Sequence, residues 1–266
     1  MMPGAGGHAR QMNPKFALVG MAKETARLRS ALAGREPLLV LGAAGSGKTR
    51  LLWEAMAERP EILYVAWEPT LHALLMAMAR ALIAAQHRDF LDRARLPRDS
   101  EEWLRAQRSI RLKGLLWSAI ENAPQAMVID GIAGGSFAAY RFLQRIYHTP
   151  GMALFATSRD AASLGVLARL FWNPTKVLTV SRLNGREAGQ LFETAADNFR
   201  LRHLDLPEFR EKVLESAGGN PGQIIEMCRL ASQPQYVSGR HVKFAPLRID
   251  TIIKFASSGG LEHNRE

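Results

Sequence analysis

Residues 38–52 read LLVLGAAGSGKTRLL, and the reading of the fold starts there. Leu38 to Leu41 form an apolar run suited to a buried strand. The chain then passes through Gly42-Ala43-Ala44-Gly45-Ser46-Gly47 into Lys48-Thr49-Arg50 and a helix-like continuation. Gly42, Gly47, Lys48 and Thr49 occupy the fixed places of G-x-x-x-x-G-K-[ST], and the flanking strand and helix are the setting this motif needs. Successive backbone N–H groups of such a turn, completed by a helix N-terminus, make a concave anion site that larger side chains would block. Lys48 is suited to the β- and γ-phosphates of a nucleotide, and the Thr49 hydroxyl to Mg²⁺. Residues Gly42, Ala43, Ala44, Gly45, Ser46, Gly47, Lys48, Thr49 and Arg50 are thus the expected cofactor-binding loop, with ATP and Mg²⁺ as the cofactors.

Outward from this loop, short apolar runs alternate with longer helical patterns, the mark of a parallel sheet covered by helices. The expected strands are Leu38–Leu41, Ile62–Trp67, Ala126–Asp130, Ala153–Thr157 and Val177–Val180. The expected helices are Thr49–Glu58, Leu71–His87, Glu101–Asn122, Ala138–His148 and Ala161–Leu170. From Asn184 onward GREAGQLFETAADNF, LPEFREKVLESAG and NPGQIIEMCRLAS read as three helices with no strand between them. The fold expected is therefore α/β, a five-stranded parallel sheet flanked by helices and followed by a small helical lid. Its divisions are a tail over 1–13, a core over 14–183, a lid over 184–232 and an extension over 233–266, with a hairpin about Ser238-Gly239 and a last helix. The tail has no apolar signal-like run, and Met12 is a second candidate start.

A Mg²⁺-nucleotide site of this kind needs an acid at the carboxyl end of a neighbouring strand. QAMVIDGI, residues 125–132, supplies Asp130 after four apolar positions. The next strand closes in ALFATSRD, residues 153–160, placing Thr157, Ser158 and Arg159 at the same sheet edge.

With these residues assembled, the chain resembles the AAA+ and STAND branch of P-loop ATPases, origin-recognition-like ATPase domains in particular. The resemblance covers about residues 16–232. It is carried by FALVGMAKETARLRSAL, residues 16–32, GAAGSGKT, MVIDG, FATSR and, in the lid, GGNPG, residues 218–222. It implies that Thr157 and Arg159 sense the γ-phosphate, with Arg159 favoured because a cation gains more from the extra charge of ATP over ADP. A turn-capping Arg is the plainer reading of the same residue. It also implies that Pro221 packs near the adenine, that Val19-Gly20 lies by the base, and that an arginine acts in trans from a neighbouring subunit. Arg169, in VLARLFWNP, is the candidate for that role, against a plain surface arginine. Two departures stand out. Met21 follows Gly20 where the family usually has Arg, and Gly131 follows Asp130 where the family has the water-polarising Glu. A replacement base is Glu68 in LYVAWEP, residues 63–69, at the end of the strand expected beside the Asp130 strand; its other reading is a solvated residue before Pro69.

Composition bounds the rest. The 266 residues are 47% hydrophobic and 23% charged, enough for a substantial core, with a formal net charge of +10. That excess makes duplex DNA a candidate partner, beside a merely basic surface. The single cysteine, Cys228, rules out a disulfide framework and a cysteine-rich zinc site, and fits a reducing, cytoplasmic setting. No apolar run reaches membrane-spanning length, so no membrane partner is expected. Three functions stay open: an ATP-hydrolysing AAA+/STAND-type protein that couples nucleotide state to conformation and to self-assembly or a protein partner; a non-hydrolysing switch or nucleic-acid adaptor; and a helper ATPase of a mobile-element or replication system. The extension after residue 232 is too short for a full winged-helix domain, so DNA contact is expected from the ATPase surface, from SGRHVKFAPLR or from a partner.

Overall fold

Leu38-Leu39-Val40-Leu41 forms β1 (Leu38–Leu41), preceded by α1 (Ala22–Gly34) and followed by α2 (Lys48–Met56). β1 is apolar throughout because it has a strand on each side and is buried on both faces: Leu38, Leu39 and Val40 are at most 1% exposed. The chain continues through β2 (Leu63–Ala66), α3 (Leu71–Ala84), α4 (Arg88–Ala94), α5 (Ser100–Ala106), α6 (Ser109–Glu121), β3 (Ala126–Ile132), α7 (Phe137–Tyr147), β4 (Ala153–Ser158) and β5 (Val177–Thr179). Then follow α8 (Gly185–Asn198), α9 (Leu206–Ala217), α10 (Pro221–Ala231), β6 (Val237–Ser238), β7 (His241–Val242) and α11 (Phe244–Gly260). The computed structural model describes residues 16–57, 59, 61–97, 99–121 and 126–260. The expected tail over 1–13, with Met12, and the expected helix ends at Glu58 and Asn122 lie outside the described residues.

The sheet has the order β2-β3-β4-β1-β5 with every pair parallel, the α/β architecture expected from the alternating pattern. Parallel pairing puts the carboxyl ends of all five strands at one edge, where open α/β sheets carry their ligands. In β3 the register with β4 steps from Ile129↔Ala156 to Ile132↔Ser158, three residues of β3 against two of β4. β3 therefore bulges by one residue at Asp130-Gly131.

Two expected helices differ. The span Glu101–Asn122 is divided: the chain leaves the helix at Gln107, ψ 138°, and starts again at Ser109, so that Leu104 and Leu112 both bury. The Asp99 side chain caps the first piece by accepting from the Glu101 and Glu102 amides. The span Ala161–Leu170 is a 3₁₀ segment, Ala162–Phe171, interrupted by Gly165, which at φ 53°, ψ −129° cannot continue a helix.

The described residues fall into two compact units. The first comprises Glu24–Leu41 and Leu52–Thr179; the second comprises residues 16–23, Gly42–Leu51 and residues 180–260. The first has its own core, built on Leu39, Val65, Met127, Ile129, Leu154 and Ala156 of the sheet and on Leu74, Leu75, Met78, Leu112 and Leu143 of the helices. The second is centred on Phe192, Ala195, Leu201, Val213, Ile224, Met227 and Cys228. Burial among these apolar groups pushes the Cys228 thiol up to about 12. In this unit Asn184 and Glu187 close a capping box on α8, and Asn220 caps α10 with Pro221 as its first residue. Among the described residues no helix is long and apolar enough to cross a membrane.

Candidate nucleotide-binding site

The glycine-rich loop belongs to the second unit and is held there by the start of α10. The Asn220 side-chain amide donates to the Ala44 carbonyl at 2.8 Å, and the Gly222 N–H donates to the Gly45 carbonyl at 2.9 Å. The side-chain oxygen of Asn220 meanwhile accepts from the Gln223 amide, so one residue caps the helix and fastens the loop. Lys48 donates from Nζ to the carbonyls of Gly42, at 2.6 Å, and Ala43, at 3.0 Å. Four consecutive loop carbonyls are thus occupied from within the unit. A nest built for an anion needs this, because a carbonyl turned inward would repel a phosphate.

Close packing accounts for the small residues. A Cβ at Gly45, φ +77°, would collide with the Phe255 ring and lie 2.8 Å from Asn220 Oδ1. One at Gly42 would lie 2.6 Å from Ser46 Oγ. That hydroxyl is buried and meets no hydrogen-bond partner, a polar atom that an anion in the loop would satisfy. Met21 is buried with its Cε beside Gly47, occupying with an apolar group the sequence position where the family would carry Arg. Thr49 and Arg50 lie half-buried in the first turn of α2, and Pro221 half-buried in the first turn of α10.

In the first unit the bulge in β3 organises a carboxylate. Asp130 Oδ1 accepts from the Thr157 hydroxyl at 2.5 Å, and Oδ2 accepts from the Tyr64 hydroxyl at 2.7 Å. The Gly131 N–H donates to the same Thr157 oxygen at 2.7 Å. Thr157 is completely buried, so the bulge and the two hydroxyls fix the acid rather than leaving it to solvent. Trp53 supports Tyr64, their ring centroids 4.8 Å apart. Arg159 lies beyond β4, half-exposed and 3.5 Å from Asp160. The Ser163 hydroxyl and amide, with Arg159 adding to them, hold the Asp160 carboxyl below the usual carboxylate range. Arg169 is exposed in the 3₁₀ segment.

Glu68 follows β2, which lies beside β3 as expected; Ala66 is the register partner of Asp130, and the Trp67 N–H donates to the Asp130 carbonyl. Glu68 also acts on Arg80 of α3. A hydrogen bond to Glu101 holds that guanidinium up in pKa, burial opposes it, and the charges of Glu101 and Glu68 add to it.

Sequence reading passed over Tyr64, Asn220, Gly222 and Phe255. For Asn220 and Gly222 a signal existed, since both fall within GGNPG. Tyr64 and Phe255 looked like ordinary strand and helix residues.

No family model matches the chain, and no curated protein matches it by sequence. Among solved structures, the Walker-type ATPase of Pyrococcus abyssi aligns at a TM-score of 0.58 and 18% identity, over 92% of this chain and 75% of its own. Cdc6p from Pyrobaculum aerophilum aligns at 0.59 and 14% identity, over 84% of this chain and 64% of its own. The Aeropyrum pernix ORC1 protein, solved in complex with DNA, aligns at 0.55 and 14% identity, over 90% and 66%. With its sheet order and glycine-rich loop, the chain has the fold of the P-loop ATPases of the AAA+/STAND group, the origin-recognition-like domains among them.

Proposed function

We infer that this chain is an ATP-binding P-loop ATPase whose nucleotide state sets the conformation of its helical lid and, through it, assembly with further copies or a protein partner. The observation that carries this reading is the loop 42–49, with its carbonyls tied off, no room for side chains at Gly42 and Gly45, and Lys48 beside its own loop carbonyls. In this reading the phosphates take the loop amides and the Lys48 ammonium. Mg²⁺ is held by Thr49 and, through water, by Asp130. Arg159 and Thr157 respond to the γ-phosphate, and Arg169 serves a neighbouring copy. β1 and β3 end at the same edge of the parallel sheet, the edge at which open α/β sheets carry their ligands.

One observation favours the second reading, a slow or non-hydrolysing switch: Gly131 stands where the family keeps its base. Duplex DNA as partner rests on the net charge of +10.

Nucleotide binding to purified protein and two variants tests the site. Lys48→Ala should weaken ATP binding about 10- to 100-fold, the worth of charge-assisted hydrogen bonds. Asp130→Asn should spare nucleotide binding in chelator and damage the Mg²⁺-dependent part. Unchanged ATP affinity in folded Lys48→Ala would remove the site from the loop.

A further inference from the structure

Phe255, in α11, stands against the glycine-rich loop. Its ring fills the space that a Cβ on Gly45 would need. The helix that carries it is anchored to the second unit along one side. Leu247 and Thr251 are completely buried two turns and one turn before Phe255. Asp250 accepts from the Tyr236 hydroxyl. Lys254, adjacent to Phe255, is paired with the nearly buried Glu226 of α10 at 2.7 Å. α10 is the helix whose N-terminus holds the Ala44 and Gly45 carbonyls. The loop is thus gripped at Ala44-Gly45 from two elements, by hydrogen bonds from α10 and by an aromatic ring from α11, and those elements are tied to each other through Glu226 and Lys254.

A glycine-rich loop has many accessible backbone states, and each must be given up when it closes on phosphate. A ring seated against Gly45 removes some of those states beforehand. The geometry points to Phe255 as a positioning residue for the loop, and to α11 as the element that senses whether the loop is filled. This rests on the nucleotide reading above and adds its regulation. If docking of α11 raises nucleotide affinity, then nucleotide must strengthen the docking of α11 by the same factor, since coupling free energies are reciprocal. A partner or modification that lifts α11 would therefore release nucleotide, and nucleotide would hold α11 down.

Hydrogen exchange on the full-length protein, with and without a non-hydrolysable ATP analogue and Mg²⁺, tests both halves. In the nucleotide-free protein, Phe255→Ala should speed exchange of the 44–49 amides about 10-fold while α8 and α9 exchange as in wild type. The same variant should bind the analogue about 10-fold more weakly, within the usual range of coupling between sites. Phe255→Leu, which keeps an apolar group on the loop, should fall between. In wild type the analogue should slow exchange over residues 247–256. Unchanged loop exchange in Phe255→Ala overturns the proposal, and so does a wild type that binds the analogue with no effect on α11. A wild type that binds no analogue removes the nucleotide reading itself, and the coupling with it.

Discussion

Gly131 follows the anchored acid with φ +83° and open space where a Cβ would go. A Cβ there meets no neighbour, yet a residue other than glycine still carries the cost of a left-handed backbone. Gly131→Ala should lower unfolding free energy by about 1–2 kcal/mol, read from urea denaturation. Gly131→Glu should bring the same loss with no gain in ATP turnover, because the bulge directs that position away from the regular strand geometry. If turnover occurs in wild type, Glu68→Gln should reduce it about 10²-fold in a steady-state assay and leave ATP affinity intact. A fully active variant would take Glu68 out of the reaction. Asp130 was legible because an apolar strand ending in an acid is a local pattern. Its two hydroxyl hydrogen bonds were not: Thr157 was expected at the same sheet edge, but it and Tyr64 lie 27 and 66 residues away in sequence and reach the carboxylate only through strand pairing. The bulge was equally hidden, since pattern reading counts residues along one strand and a bulge exists only relative to its neighbour.

At the level of elements, α10 and α11 meet through Glu226, which is 6% exposed and paired with both Arg229 and Lys254. Burial pushes its pKa up, but the hydrogen bonds and charges of Arg229 and Lys254 outweigh this, and the carboxyl sits below its ordinary value of 4.5. A carboxyl lowered on folding stabilises the native state fully above its unfolded value, and the contribution fades as pH falls through the folded one. Denaturant midpoints taken from about pH 6 down to about pH 3 should therefore drop below about 4.5 in wild type. Glu226→Gln should be less stable at pH 6 and show a shallower acid decline. An equally steep decline in the variant would assign it to other carboxylates. The strands of the large sheet and their alternation with helices were readable from apolar periodicity, and the start of α10 from Gly-Gly-Asn-Pro, whereas α4 (Arg88–Ala94) was not among the expected helices. The break at Gln107 was not, because no Gly or Pro marks it. The failure of Ala161–Leu170 as an α-helix hangs on the conformation of Gly165, which an apolar pattern does not record.

For the whole molecule the property to test is the net charge of +10. Contacts between basic side chains and phosphates release condensed counterions, so binding to a labelled duplex should weaken with salt at a log–log slope near −0.9 per phosphate contacted, with little dependence on sequence. Fluorescence anisotropy over a salt series should also show tighter binding with an ATP analogue than with ADP if nucleotide state governs assembly on DNA. Superimposed curves would reduce the charge to non-specific attraction, and no binding at about 100 mM salt would end the DNA reading.

The two units are not two stretches of sequence. Among the described residues the backbone passes from one to the other at 23/24, 41/42, 51/52 and 179/180. A chain divided between residues 179 and 180 would put the helices of the second unit on one polypeptide and the loop they grip on another. Neither product alone would hold the anion nest together, and it would return only when the two polypeptides met again. The loop and the helices that grip it are thus inseparable in sequence: no single truncation can deliver both without the strands between them.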